Sequence, residues 1–175
     1  MGMENAGKTT LVKYITQEFE SNQSKPPEMS PTRGIERSQH SLFGNPPILI
    51  WDFGGQEIYR NEYLSKPNLY FNEIAIFFYV VDVQDNVKFF SSRMYFMAVL
   101  QLIRKHSPDA NIVFLFHKSD PEFTGENKIK ERFLDYFKPV MQKNKRAFQV
   151  YDTTIYDIHS ILKAFKNEIK RINLE

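Results

Sequence analysis

The residues best suited to chemistry open the chain. Gly2-Met3-Glu4-Asn5-Ala6-Gly7-Lys8-Thr9 has the spacing G-x-x-x-x-G-K-[ST]. The glycines let the backbone curl around a phosphate chain, so that N–H groups of Gly2, Asn5, Ala6 and Gly7, and onward through Thr9 and Thr10, turn toward it. A helix starting here adds the positive end of its dipole. Lys8 is then expected to reach the β- and γ-phosphates, and Thr9 to offer its hydroxyl to Mg²⁺. A glycine turn before an ordinary helix would explain the same residues if they stood alone.

A second group, Asp52-Phe53-Gly54-Gly55-Gln56, follows the apolar stretch at 48–51. An Asp at the C-terminal end of a strand faces the crevice where open α/β sheets bind ligands. There Asp52 can hold Mg²⁺ through water, the Gly55 N–H can meet a γ-phosphate, and Gln56 can orient an attacking water. Thr32, at the end of a proline-rich loop, is the candidate for a second hydroxyl on the metal. Its claim rests on its place between the first two groups.

The fourth group is His117-Lys118-Ser119-Asp120, again after an apolar run. A carboxylate at Asp120 suits guanine, because its two oxygens can accept from N1–H and the 2-amino group together. The Lys118 stem can lie over the base. In isolation these residues would read as a solvated charged loop; the order of all four groups argues otherwise.

The elements that must position them alternate between helical and extended patterns. Residues 9–19 carry Leu11, Val12, Ile15 and Phe19 at helical spacing, and 20–31 reads as a loop with three prolines. Residues 36–43 look extended, and Gly44-Asn45 turns into a strand at 48–52. The continuous apolar run at 74–81 suits a strand buried on both faces. A helix at 87–106, a strand at 111–116, a helix at 128–137, a short strand at 148–152 and a closing helix at 156–172 complete the order. Such alternation predicts one α/β domain with a mostly parallel sheet and helices on both faces.

Composition narrows the classes further. A chain of 175 residues with 42% hydrophobic and 25% charged residues fits one globular domain. Sixteen phenylalanines point to a Phe-rich core. A net charge of +2 argues against a nucleic-acid partner, and the absence of cysteine removes thiol chemistry and fits a reducing cytoplasm. No apolar run is long enough to span a bilayer. Ala6 stands where a myristoylation signal needs Ser or Thr, and the ending Arg171-Ile172-Asn173-Leu174-Glu175 has no prenylation cysteine, so no intrinsic membrane anchor is expected. Lys143, Lys145, Arg146, Lys163, Lys166, Lys170 and Arg171 read first as solvated surface.

With these motifs in this order, the chain resembles the small GTPases of the Ras superfamily, and most of all their Rag/Gtr branch. His in place of the usual Asn, giving His-Lys-x-Asp, is a mark of that branch. Leu42-Phe43-Gly44-Asn45, Trp51-Asp52-Phe53-Gly54-Gly55-Gln56, Ser107-Pro108-Asp109-Ala110 and Thr153-Thr154-Ile155-Tyr156 are similar to it as well. The resemblance covers essentially the whole chain and implies a P-loop NTPase G domain that binds GTP or GDP with Mg²⁺, with Thr154 and Ile155 closing over the base. Asn5-Ala6-Gly7-Lys8 and Pro31-Thr32-x-Gly34 look more like the Arf branch. Arg33 follows Thr32 rather than preceding it, and so is not read as a catalytic arginine.

The expectation is a switch that hydrolyses GTP slowly, on the order of 10⁻⁴ to 10⁻² per second without an activating protein. An exchange factor and an effector are further implied partners. The rival is a nucleotide-dependent scaffold with little hydrolysis; a small-molecule kinase leaves Asp120 unexplained. The resemblance further implies a homo- or heterodimer with another GTPase or a roadblock/longin-type protein, and contact with membranes through partners; no roadblock-type domain follows in this sequence, so pairing through such a domain does not carry over. Only Met1 precedes Gly2, so the first strand of such a sheet is expected to lie upstream. That expectation requires a gap between the strands at 48–52 and 74–81, and direct hydrogen bonds between them would contradict it.

Overall fold

The computed structural model describes residues 1–20, 30–124, 126–143 and 148–172. Most of the proline-rich loop at 20–31, together with Lys145 and Arg146, lies outside the described residues. The phosphate-loop motif leads into helix α1 (Lys8–Glu20), which buries Leu11 and Ile15 one turn apart. Strands β1 (Ile35–His40) and β2 (Ile48–Phe53) form an antiparallel pair in the register Ile35↔Phe53 to His40↔Ile48. Between them Gly44 takes a left-handed φ of 74°, and the Asn45 N–H returns to the Leu42 carbonyl at 3.0 Å.

Beyond β2 come two short helices that the apolar pattern did not mark, α2 (Glu57–Ser65) and α3 (Pro67–Tyr70). Ile58 on α2 is 72% exposed while Tyr63 is buried, so the helix lacks a clean apolar stripe. The other elements are β3 (Ile76–Asp82), α4 (Phe89–His106), β4 (Asn111–His117), α5 (Glu126–Lys143), β5 (Gln149–Thr153) and α6 (Ile158–Ile172). They match the expected order, with ends displaced by a few residues and α5 running past Phe137. The chain leaves α4 at Ser107, whose hydroxyl donates to the Phe71 carbonyl at 2.7 Å and accepts from the Ile74 N–H at 2.9 Å.

Strands β3, β4 and β5 make a parallel three-stranded sheet in that order. The core divides on its two faces because successive side chains of a strand alternate. Phe114 and Phe116 of β4 face α4 and α5, where they meet Phe96, Phe133 and Phe137. Val113 and Leu115 face the opposite layer with Leu11 of α1 and Ile161 and Phe165 of α6. The phenylalanine-rich core thus lies largely on one side. Pairs such as Phe96–Phe137 meet edge to face, with centroids 4.8 Å apart.

The two sheets are separate: β2 and β3 share no ladder. On the free edge of β3, the Met1 N-terminus donates to the Phe78 carbonyl at 2.7 Å, and the Val80 N–H donates to the Met1 carbonyl at 2.8 Å. Gly2 and Val80 form a parallel bridge there. The phosphate-loop motif therefore starts beside the sheet.

Candidate functional site

Parallel pairing sets the frame. Its last rungs are Asp82↔His117 and His117↔Thr153, so the C-terminal ends of β3, β4 and β5 carry three polar side chains in one row. Ligands of open α/β sheets bind at that edge. The phosphate-loop motif reaches the same edge and delivers α1 there.

The loop itself is held by close backbone approaches. Asn5 takes φ 60°, a left-handed value that Asn tolerates better than most residues. Gly7 has φ 87°, and a Cβ placed on it would collide with the His117 ring and lie 2.7 Å from its Nε2. His117 therefore braces the loop directly. Its Nδ1 lies 3.0 Å from Thr153 Oγ1, and only 2% of the residue is exposed. Burial, and then the charge of Lys118, lowers its pKa to about 4, so the ring is neutral at pH 7.

Lys8 is buried and donates from Nζ to the Met3 carbonyl at 2.6 Å. Burial is the main cause lowering its pKa to about 8, partly opposed by Asp52. An ammonium so placed is stabilised by any anion that enters the loop. Thr10 follows in the first turn of α1, half-buried.

Thr9, Thr32 and Asp52 converge although they come from α1, a loop and β2. Thr9 Oγ1 and Thr32 Oγ1 are 2.5 Å apart, and both hydroxyls donate to Asp52 Oδ2, at 2.5 and 3.1 Å. Asp52 and Thr32 are 5% and 8% exposed. Two hydroxyls and a single carboxylate are hard oxygen donors, a set that fits Mg²⁺ completed by phosphate and water. Among the described residues no group of three or more His, Cys, Asp or Glu side chains is placed to hold a metal.

The Gly-Gly-Gln segment packs on the same loop. A Cβ on Gly55 would lie 2.5 Å from the Glu4 nitrogen and from the Met3 carbonyl oxygen. Gln56 is the exposed N-cap residue of α2, and its carbonyl accepts from the N–H groups of Tyr59 and Arg60 at 3.1 and 3.0 Å. Arg60 reaches back to Met3 Sδ with Nη1, and its guanidinium carbon lies 5.3 Å from the Tyr95 ring centroid. Arg33, by contrast, is exposed.

At the other end of the row, Lys118 takes φ 62° and pairs with Asp82 Oδ2 at 2.6 Å. Asp120 Oδ1 accepts from Thr154 Oγ1 at 2.6 Å, and Oδ2 from Gln84 Nε2 at 2.7 Å. Ile155 and Tyr156 beside Thr154 are 42% and 75% exposed. The structure thus gathers the predicted residues into two neighbouring groups, one around the loop and one around Asp120, with His117 between them. Sequence reasoning missed Asp82, Gln84 and Arg60 as members. Asp82 had a usable signal, an Asp closing an apolar strand as Asp52 does. Of the basic residues, Lys163, Lys166, Lys170 and Arg171 are exposed.

A parallel three-stranded sheet with a glycine loop and hydroxyl–carboxylate cluster at its C-terminal edge defines a P-loop nucleotide-binding domain. The chain belongs to the Gtr1/RagA G-protein family, whose conserved region matches residues 1–173. It is 29% identical to GTP-binding protein GTR1 of Saccharomyces cerevisiae over 121 residues, 69% of this chain but only 38% of that protein. The ADP-ribosylation factor-like protein alp41 of Schizosaccharomyces pombe is 27% identical over 174 residues, 99% of this chain and 86% of that one. The fold matches the Arl6 small GTPase of Trypanosoma brucei, solved with the nucleotide analogue GppNp, with a TM-score of 0.77 at 17% identity. That match covers 98% of this chain and 94% of the other. The sequence comparisons describe a Rag/Gtr-like small GTPase with Arf-like features, and the structural match shows the same fold. No helix among the described residues is long and apolar enough to cross a membrane.

Proposed function

We propose that this chain is a guanine-nucleotide switch that binds GTP and GDP with Mg²⁺ and hydrolyses GTP slowly. The observation that carries the reading is the convergence of Thr9, Thr32 and Asp52 beside the phosphate loop. Thr32 and Asp52 lie 23 and 43 residues after Thr9 in sequence, and no packing need brings three polar groups together there. In this reading Thr9, Thr32 and Asp52 hold Mg²⁺, which when bound neutralises charge on the β- and γ-oxygens. Lys8 gives up its bond to Met3 for phosphate oxygens, and backbone N–H groups of the loop and of Gly55 donate to them. Gln56 positions the attacking water. Asp120 accepts from the guanine edge, with Lys118, Thr154 and Ile155 around the base.

Turnover without help is slow in this reading, because Arg60 is engaged by Met3 and Tyr95 and Arg33 faces solvent. An activating protein would then supply the missing cation, an exchange factor would release GDP, and an effector would read the Thr32 and Gly55 segments when γ-phosphate orders them. Pairing with another GTPase or a roadblock/longin-type protein, in the cytoplasm or at membranes through such partners, completes the proposal. The rival scaffold would share every binding contact and differ only in rate, so single-turnover hydrolysis separates the two.

The test of binding is a titration with GTP, GDP, ATP and xanthosine triphosphate, with and without Mg²⁺, on the parent and on Asp120→Asn. The parent should prefer guanosine by about a hundredfold or more over adenosine, and the variant should shift tenfold or more toward xanthosine. An unchanged base preference in the variant would remove Asp120 from the base site.

A further inference from the structure

The Asp120 carboxylate is held from both sides by its own chain. Thr154 donates to Oδ1 at 2.6 Å, and Gln84 donates from Nε2 to Oδ2 at 2.7 Å. The same Gln84 Nε2 donates to the Lys118 carbonyl at 2.8 Å. Both of its partners can only accept, which fixes the amide orientation with its NH₂ toward Asp120. Gln84 is anchored in turn: its backbone N–H donates to Asp82 Oδ1 at 2.9 Å, while Asp82 Oδ2 accepts from Lys118 Nζ at 2.6 Å. A closed ring of bonds joins Asp82, Gln84 and Lys118, and Asp120 is held between Gln84 of that ring and Thr154 of the loop after β5. Gln84 is exposed and packs into no core, so its side chain has no structural task besides these bonds.

We propose that Gln84 is a positioning residue that sets guanine specificity, by clamping the Asp120 carboxylate so that its remaining lone pairs face the base edge. This rests on the base-site reading above. An ionised carboxylate has about four acceptor positions. Thr154 and Gln84 take one on each oxygen and leave one on each. Guanine presents two parallel donors, N1–H and the 2-amino group, which match a carboxylate whose plane is fixed. Without Gln84 the carboxylate stays tethered at Oδ1 only and can rotate away from coplanarity. The contact that suffers first is the second of the two, so guanosine loses more than inosine, which lacks the 2-amino group.

The experiment compares GDP and IDP affinities of the parent, Gln84→Met and Gln84→Glu. Met keeps the length of the side chain and removes the donor; Glu keeps the shape and sets a second carboxylate against Asp120. Gln84→Met should lose about fivefold in GDP affinity, the worth of one hydrogen bond. Its IDP affinity should change less than twofold, and its nucleotide-free Tm should match the parent. Gln84→Glu should lose more GDP affinity than Gln84→Met. Equal losses for GDP and IDP, or GDP binding as tight as or tighter than the parent's, would overturn the proposal. In the last case the amide merely occupies the place of the base. If the parent itself shows no preference for GDP over ADP, the base-site reading fails and takes this inference with it. If the parent prefers GDP and Gln84→Met behaves identically, only the role of Gln84 fails.

Discussion

Acid should weaken this fold by charging His117. His117 is 2% exposed, its Nδ1 is 3.0 Å from Thr153 Oγ1, and its other edge lies against Gly7. Burial first, and the Lys118 charge second, lowers its pKa from 6.5 to about 4. Between those values the unfolded chain binds a proton at this site and the folded chain does not. Stability from His117 is therefore complete above pH 6.5, falls as the pH drops toward 4, and is level below that. At 1.36 kcal/mol per pH unit the window amounts to about 3 kcal/mol, a large part of a typical total of about 5–15 kcal/mol. The assay is urea unfolding of the nucleotide-free chain at several pH values between 7.5 and 4, on the parent and on His117→Asn. An Asn can still bridge to Thr153 but does not titrate, so the parent should lose about 3 kcal/mol more than the variant across the window. The His117 ring should also stay neutral by NMR at pH 5.5. Parallel pH profiles for the two proteins, or a ring titrating near 6.5, would refute the reasoning.

Three further outcomes are expected. Lys8→Ala should weaken Mg²⁺·GDP binding more than tenfold by equilibrium titration, since the loop loses its buried cation; a change within about threefold would contradict the phosphate-cradle assignment. Gln56→Leu should keep GTP affinity within about twofold, because Gln56 is exposed and caps α2 without a side-chain bond, while single-turnover hydrolysis falls about tenfold or more. Equal rates would favour the scaffold. Phe114→Ala should cost about 3–5 kcal/mol, since Phe114 is fully buried among Phe96, Phe133, Phe137 and Phe148. Its Tm should fall by about 6–20 °C, and a loss under about 1 kcal/mol would mean that the packing differs.

The legible parts of the site are those in which the backbone carries the chemistry. A phosphate loop needs glycine at fixed spacing whatever surrounds it, so residues 2–9 announce themselves. Asp52 was legible because it lies at the end of an apolar strand, and Asp120 because it ends a His-Lys-x-Asp group that follows one. Thr32 had only its rank in the order, and the structure brings it to Asp52. Gln84 had no signal: its place depends on the turn after Asp82 and on the pairing of β3 with β4, and neither leaves a local pattern. Helices α2 and α3 were illegible for a related reason, since α2 buries only Tyr63 and leaves Ile58 in solvent. In α5 the pattern of Ile129, Phe133 and Phe137 meets Pro139, a residue that usually marks a helix end, yet the helix continues to Lys143.

Strand periodicity explains why a histidine can brace the loop at all. Along β4, Phe114 and Phe116 face α4 and α5, so Val113, Leu115 and then His117 face the layer of α1. The first turn of α1 begins at Lys8, directly after Gly7. In β3, Val80 and then Asp82 fall on that same side, and in β5 so do Tyr151 and then Thr153. Three strands in one register therefore turn their last inward residues to the helix that follows the phosphate loop. A slip of one residue in β4 would send His117 toward the phenylalanine core and bring Phe116 against Gly7. The cost would fall on both faces at once, burying a polar ring among phenylalanines and removing the loop's brace. The register that packs the core is thus the register that builds the site, and neither can change without the other.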